Sequence, residues 1–185
     1  MYMYLITAFK PFSGRPINGS QTLLNHLKCD QRFGFIEFHS LEVSWDSFDG
    51  LFESIQKRKL KGIIGLGEGR SENIRIKKLG RNYADGKDER SVIKNEEKTI
   101  KHGADILKSR ISLPNGLDIE ESKNAGVFLC NYELFHINSL WLDVSGFIHL
   151  PQQKEIEEKD YLNTVKDPIA KITLYNFTNP YPKDT

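Results

Sequence analysis

The sequence has little cysteine. Cys29 and Cys130 are the only two in 185 residues, and no Cys-x-x-Cys pair occurs. Two cysteines cannot build the disulfide framework that stabilises small secreted proteins, and a nucleophilic thiol requires reducing surroundings. The cysteine content therefore predicts a cytoplasmic protein.

The sequence also lacks an excess of charge of either sign. Lys and Arg total 26, Asp and Glu total 25, and the formal net charge is +1. Such a balance gives no global electrostatic reason to expect a nucleic acid or a membrane as a partner. No apolar run approaches transmembrane length, and residues 1–8 have no basic region and lead directly into a turn, so they are predicted to form a strand and not a signal peptide.

The residues that are present predict one α/β domain over residues 1–185, with a loose tail after about residue 179. Strands are expected at residues 2–9, 33–43 and 62–67, and helices at 20–28, with Ser20 as the cap, and at 48–55. A β-α-β-α-β order favours a central, mainly parallel sheet covered by helices, which is an α/β/α sandwich.

The rest of the chain is less regular. Residues 73–83 alternate and suggest strands that project from the main sheet, 84–101 suggest an exposed loop, and 101–112 and 117–122 suggest two further strands. A C-terminal helix over 153–172 is expected to kink or break near Pro168. The glycines at 65–69 match neither a P-loop nor a dinucleotide fingerprint, and we expect no cofactor and no metal.

Two local contexts point to chemistry. Cys130 follows a short apolar run and precedes residues 131–137, whose apolar spacing is compatible with a helix. A thiolate at a helix N-terminus is stabilised by unpaired backbone N–H groups. His149 ends a predicted strand just before Pro151, and a strand-end histidine beside such a cysteine is what a thiol nucleophile and its base require. Either residue alone is more often structural.

Four blocks of the sequence resemble the pyroglutamyl peptidase I family of cysteine peptidases. They are Ala8–Ser20, Gly65–Ser71, Ser122–Asn131 and Gly146–Pro151. The third is similar to the family's S-x-x-A-G-x-[FY]-x-C-N and the fourth to its G-F-I-H-[IV]-P. The resemblance implies an α/β/α fold and removal of N-terminal pyroglutamate from peptides through a thioester.

The resemblance also implies roles for single residues. Cys130 would be the nucleophile and His149 its general base. The positions that bind the flat lactam ring would be occupied by Phe9, Phe12 and Phe128, and Asn18 matches the asparagine of the N-terminal motif. The partner would be a peptide with N-terminal pyroglutamate or a similar small amide, and a homo-oligomer is left open.

The sequence departs from the family where a glutamate completes its triad. Counting back from Asn82, that position holds Lys77, and Lys87 stands where the family has an arginine near the oxyanion. A lysine cannot accept the histidine N–H and repels imidazolium. In a serine triad, losing this acceptor costs about 10⁴ in rate. Glu72 and Asp85 are the nearest carboxylates that could replace the missing acid.

The segment between residues 106 and 116 also leaves no room for the crossover helix that the family has there. Three interpretations follow from these observations. The first is a divergent pyroglutamyl peptidase with weakened catalysis. The second is a non-enzymatic binding module on the same fold, and the third is a related hydrolase that acts on another amide or acyl substrate.

Overall fold

The computed structural model describes residues 3–154 and 157–179, so the tail predicted after residue 179 lies outside the described residues. Within the described ranges the chain forms ten strands and four α helices. In chain order they are β1 (Tyr4–Phe9), α1 (Gly19–Lys28), β2 (Ile36–Leu41), α2 (Trp45–Gln56), β3 (Gly62–Glu68), β4 (Arg75–Lys77), β5 (Leu79–Arg81), β6 (Ala84–Lys87), β7 (Ile93–Glu97), β8 (Ile106–Lys108), β9 (Glu120–Ser122), α3 (Leu129–Ser139), β10 (Val144–Leu150) and α4 (Glu158–Thr178).

Six strands form the central sheet in the order β2-β1-β3-β10-β4-β9. The strands β2, β1, β3 and β10 are parallel to one another, β4 runs antiparallel to β10, and β9 runs parallel to β4. The predicted central, mainly parallel sheet is therefore confirmed. The carboxyl ends of β1, β3 and β10 lie at the same edge, which is where sites form in sheets of this kind.

Helices cover both faces of the sheet because its inner strands are apolar on both sides. Alternate residues of β1 separate into two cores, so that Ile6 packs with α1 and α4 while Leu5 packs with α2 and α3. The same division occurs in β3, where Ile64 and Ile63 belong to opposite cores. The result is the predicted α/β/α sandwich, and its α3 face contains the candidate site.

The structure corrects four local predictions. Residues 84–97 are not a loop but the antiparallel hairpin β6-β7, and β4 does not project from the main sheet but belongs to it. The helix α4 starts later than predicted and continues through Pro168 to Thr178 without a break. The cap of α1 is Asn18, whose side chain accepts a hydrogen bond from the Ser20 N–H. The errors at β4 and at the β6-β7 hairpin concern strand pairing, which local patterns do not specify.

Two further predictions about the chain are confirmed. The predicted strand within 101–112 is β8, which pairs with β5, and residues 109–119 contain no helix, as the shortened segment suggested. In the part of the chain that the structure describes, we find no helix with the length and apolarity that crossing a bilayer requires.

Close packing of β5 on α3 provides a stability test. A Cβ added at Gly80 would lie 2.9 Å from both the Cα and the backbone N of Phe135, and backbone atoms cannot move aside cheaply. We expect Gly80→Ala to lower the free energy of unfolding by about 1–3 kcal/mol in urea titrations. Gly50→Ala in α2 is the control, because a Cβ there meets nothing within 4 Å. It should stabilise by up to about 1 kcal/mol. Equal effects of both changes would contradict the packing argument.

Candidate active site

Cys130 is the second residue of α3, as its sequence context predicted. The backbone before the helix is extended at Phe128, whose carbonyl accepts hydrogen bonds from the N–H groups of Asn131 and Tyr132 at 3.0 Å each. The thiol is free and half-buried. The nucleophile candidate therefore sits in the first turn of a helix, where backbone N–H groups lack helical acceptors.

His149 lies on β10, and the neighbouring strand β3 relates its position to that of the Cys130 sulfur. In the parallel pairing of β10 and β3, His149 is opposite Gly67. A Cβ added at Gly67 would be 3.2 Å from Cys130 Sγ. Because residues opposite each other in register point to the same face of a sheet, the imidazole and the sulfur share the α3 face. The structure thus brings the two predicted residues to neighbouring positions.

The ring of Phe147 forms the floor next to both groups. It lies edge-on to the His149 ring with 5.4 Å between centroids, and its outer atoms would be 2.8 Å from a Cβ at Gly67. A glycine is therefore required at position 67, because any side chain there would displace the aromatic ring and approach the sulfur.

A buried carboxyl group below the cysteine was not foreseen from the sequence. Glu133 is fully buried one turn after Cys130, and its Oε1 accepts a hydrogen bond from Thr7 Oγ1. Its second oxygen, Oε2, has no hydrogen-bond partner among the described residues. The available signals were a threonine inside the otherwise apolar strand β1 and a glutamate on an apolar helix.

The environment of Cys130 favours the neutral thiol. Burial, and then the negative charge of Glu133, raise the pKa of Cys130 to about 12, while Lys77 and the backbone N–H of Cys130 itself act in the opposite direction. Burial also raises the pKa of Glu133 to about 8, against the hydrogen bond from Thr7. The helix N-terminus alone does not ionise this thiol, since desolvation outweighs it.

Lys77 occupies the sheet position beside His149. In the antiparallel pairing of β10 and β4, Lys77 is opposite Phe147 and Arg75 is opposite His149, so all four side chains point to the α3 face. Lys77 is only 5% exposed, and its Nζ donates a hydrogen bond to Ser122 Oγ at 3.3 Å. The residue at the family's glutamate position is therefore a lysine whose amine is buried inside the site.

Burial, together with this cationic surrounding, keeps His149 uncharged. Burial, followed by the charges of Lys77 and Arg75, lowers the pKa of His149 to about 3. Its Nε2 is buried without a hydrogen-bond partner in the described part of the chain. A thiol pKa of about 12 and an imidazole pKa of about 3 leave the thiolate–imidazolium pair as a small minority of the free protein.

The three candidates for the missing acid or the oxyanion arginine, Glu72, Asp85 and Lys87, are not among the charges that shift the pKa of His149. The side chain of Glu72 is 90% exposed and 3.9 Å from Lys154. Asp85 lies in β6, where its N–H donates to the Val127 carbonyl at 2.9 Å. Lys87 is exposed at the end of the same strand, opposite Ile93. The charges that act on His149 in the described residues come from the two cations of β4.

The aromatic residues predicted to bind a ring share one apolar cluster with Cys130. Phe9 is buried at the end of β1, with its ring centroid 6.5 Å from that of Phe147. Phe12 and Phe128 are half-buried against the same cluster. The Phe128 ring packs edge-on to Trp45 at 5.1 Å. The predicted phenylalanines and the thiol thus meet on one side of the sheet.

Two asparagines hold the loops around this cluster. Asn18 is 2% exposed and donates to the Lys10 carbonyl at 3.2 Å while capping α1, so its contacts fix the loop that carries Phe12. Asn131 is fully buried and joins α3 to the segment after β5, with bonds to the N–H and C=O of Arg81 at 2.9 Å and to the Tyr83 carbonyl at 2.7 Å. Asn131 belongs to the sequence motif around Cys130, but its role in connecting α3 to Arg81 and Tyr83 was not predicted.

The arrangement on this face contains the groups that acyl transfer through a thiol requires. Among residues 3–154 and 157–179, no group of three or more His, Cys, Asp or Glu side chains is placed to hold a metal ion. A cysteine at a helix start, a neutral imidazole, a buried amine and an apolar wall can together support a nucleophilic attack on an amide.

Comparison with known proteins identifies the family of this chain. A family model described as pyroglutamyl peptidase matches residues 2–165. A pyrrolidone-carboxylate peptidase of Thermosipho africanus is 30% identical over 192 residues, with 92% of each chain covered. One of Oceanobacillus iheyensis is 28% identical over 179 residues, covering 84% of this chain and 87% of the relative.

Solved structures show the same fold. The pyrrolidone carboxyl peptidase from Thermococcus litoralis superposes with a TM-score of 0.77 at 20% identity, covering 97% of this chain and 96% of the other. A mutant pyrrolidone carboxyl peptidase from the hyperthermophile Pyrococcus furiosus gives 0.74 at 20% identity, with 92% and 97% covered. The family match over most of the sequence, together with the shared fold, shows that this chain belongs to the pyroglutamyl peptidase family.

Proposed function

We propose that this protein is a cysteine peptidase that removes an N-terminal pyroglutamyl residue from peptides. The observation that carries the proposal is the placement of Cys130 Sγ over Gly67, the register partner of His149, within the fold of this family. The curated relatives are pyrrolidone-carboxylate peptidases, and pyrrolidone carboxylate is pyroglutamate.

The chemistry follows from the groups on the α3 face. The sulfur of Cys130 attacks the carbonyl carbon of the pyroglutamyl residue, the peptide amine leaves, and water then hydrolyses the thioester. Backbone N–H groups near Cys130, at the start of α3, are suited to stabilise the oxyanion. Phe9, Phe12 and Phe128 provide apolar surface for the flat lactam. His149 is the base that the family resemblance implies, although its neutral, cation-flanked ring is a weak one.

A binding module without turnover is the second candidate. The observation that favours it is the pair of neutral groups, a thiol with a pKa of about 12 and an imidazole with a pKa of about 3, where a cysteine peptidase needs an ion pair or a strong base. Such a protein would retain the aromatic wall and bind pyroglutamyl peptides unchanged.

Substrate selectivity separates these candidates. We expect the purified protein to release the fluorophore from a pyroglutamyl coumarin amide at least about 10³-fold faster than from the prolyl analogue. The prolyl ring has the same size but lacks the lactam carbonyl, and a site with polar groups for that carbonyl rejects the analogue. Calorimetry on a pyroglutamyl peptide provides the second readout. Binding without any fluorophore release would contradict the peptidase proposal and support the binding module.

A further inference from the structure

Lys77 is a buried titratable group in the site that takes no part in the steps proposed above. A buried lysine normally has a carboxylate partner or loses its charge, because an isolated ammonium is costly to bury. No carboxylate forms an ion pair with Lys77 among the described residues, and its Nζ donates a hydrogen bond to Ser122 Oγ at 3.3 Å. A distance of 3.3 Å is long for a charge-assisted bond. The amine is therefore held in the site without a strong partner.

Each element that neighbours Lys77 contributes at least one charged or titratable side chain to its surroundings. Arg75 lies on its own strand, Glu120 on β9, His149 on β10 and Cys130 on α3, with Glu133 behind the cysteine. Burial and then Arg75 lower the pKa of Lys77, whereas Cys130 and Glu120 raise it. Glu120 is bound by Arg75 Nε at 2.6 Å and by Asn73. Lys77 is the register partner of Phe147, and the Phe147 ring and Cys130 Sγ both approach the Cβ position of Gly67, so the amine and the thiol belong to the same part of the α3 face.

We propose that Lys77 is the proton-transfer residue of this active site, so that a Cys130–Lys77 pair replaces the cysteine–histidine–carboxylate arrangement implied by the family. The inference rests on the proposed function and specifies its proton steps. This assignment explains why a lysine can stand at the triad-acid position, because the lysine itself is then the proton acceptor. His149 remains a neutral ring that orients groups beside the sulfur.

The steps balance without any external reagent. The neutral amine of Lys77 takes the thiol proton as Cys130 Sγ forms its bond to the carbonyl carbon. The ammonium then gives this proton to the peptide nitrogen as the C–N bond breaks, which leaves a thioester and a neutral amine. In hydrolysis, Lys77 takes a proton from the attacking water and returns it to the sulfur as the C–S bond breaks. Pyroglutamate leaves, and the enzyme is restored.

Two substitutions distinguish the ability of Lys77 to accept and donate a proton from the effect of its positive charge. Lys77→Met removes both, while Lys77→Arg keeps a permanent positive charge that cannot accept a proton. We expect each to lower kcat/KM for a pyroglutamyl coumarin amide by about 10² or more. Lys78→Met is the matched control at the next residue, just after β4, because Lys78 Nζ instead bonds Glu121 at 3.0 Å and the Ile111 carbonyl at 3.2 Å. Its activity should stay within about threefold of the wild type.

The pH profile and the reactivity of the thiol provide independent readouts. In the wild type, the pH at which kcat/KM falls on the acid side of its profile should lie above the range in which a histidine titrates. Alkylation of Cys130 by iodoacetamide, measured in a Cys29→Ser background, should slow about tenfold in Lys77→Met, because the charge that lowers the pKa of the thiol is lost. The same rate should be nearly unchanged in Lys77→Arg.

Three results would overturn the inference. Lys77→Arg with wild-type turnover would show that only a charge is needed, and faster turnover in Lys77→Met would show that the lysine hinders His149. An acid-side limb in the histidine range would assign the base to His149. If wild type itself does not turn over pyroglutamyl substrates, the proposed function fails, and unchanged alkylation in Lys77→Met would then refute the Cys130–Lys77 coupling separately.

Discussion

Replacement of Cys130 by alanine should abolish release of the fluorophore from a pyroglutamyl substrate, with a loss on the order of 10⁵–10⁶ in kcat/KM, as when the nucleophile of a serine hydrolase is removed. The physical reason is that covalent attack has no other route in this site. The sulfur is the nucleophilic atom over Gly67, and the face around it is formed by an apolar ring, a neutral imidazole and a buried amine.

The fold should survive this change, because Cys130 is only half-buried and alanine is favourable in a helix. A thermal melt and binding of pyroglutamate by calorimetry test this. Cys29→Ser is the matched control: Cys29 is an exposed free cysteine at the end of α1, and its loss should leave turnover unchanged. Residual turnover in Cys130→Ala above about 1% of wild type would exclude the thioester mechanism.

Replacement of Glu133 by glutamine should have the largest effect on the pH dependence of stability. The carboxyl pKa rises from 4.5 to about 8 because the group is buried without a cation partner among the described residues. In the unfolded chain Glu133 releases its proton near pH 4.5, while the folded chain keeps it until about pH 8. A raised folded-state pKa therefore removes stability as the pH rises through this window.

The expected size follows from the linkage relation. Between about pH 5 and pH 8.5, the wild type should lose on the order of 3 kcal/mol more free energy of unfolding than Glu133→Gln. Glutamine has nearly the same shape and still accepts the hydrogen bond from Thr7, so packing is preserved. Urea titrations at both pH values measure the difference between the two proteins.

Because wild type and Glu133→Gln are compared at the same pH values, the contributions of other titrating groups to the pH dependence of stability cancel. Burial lowers the pKa of His136 to about 4 and that of His149 to about 3, so both histidines cost stability only as the pH falls below their ordinary value of 6.5. They act equally in wild type and Glu133→Gln. Glu53→Gln on the exposed side of α2 is the control and should leave the pH dependence unchanged. Parallel pH curves for wild type and Glu133→Gln would refute the buried, protonated carboxyl.

The elements next to the site could be predicted because their signals are local. The apolar run before Cys130 and the helical spacing after it are properties of contiguous residues, as is the buried strand that ends at His149. The β-α-β-α-β order similarly gave the parallel half of the sheet. The hairpin of β6 and β7 was missed because it is charge-rich and exposed, so no apolar alternation marks it.

The roles of some site residues could be inferred only by resemblance. The sequence predicted that Lys77 stands at an acid's position, but not whether its side chain points toward the imidazole or away from it. A three-residue strand such as β4 has no pattern that specifies its face, and a register change of one residue would have turned Lys77 outward. The antiparallel pairing with β10 determines that it points inward.

By itself, the sequence determined the fold class, the family resemblance and the two residues that carry the proposed chemistry, because these depend on local periodicity and short motifs. Only the tertiary structure determined the electrostatic environment of these two side chains. The pKa of a thiol or an imidazole depends on desolvation and on charges from distant parts of the chain, and here the helix α3 and the strands β1, β4 and β10 bring Glu133, Thr7, Lys77 and His149 to the α3 face, where Cys130 lies.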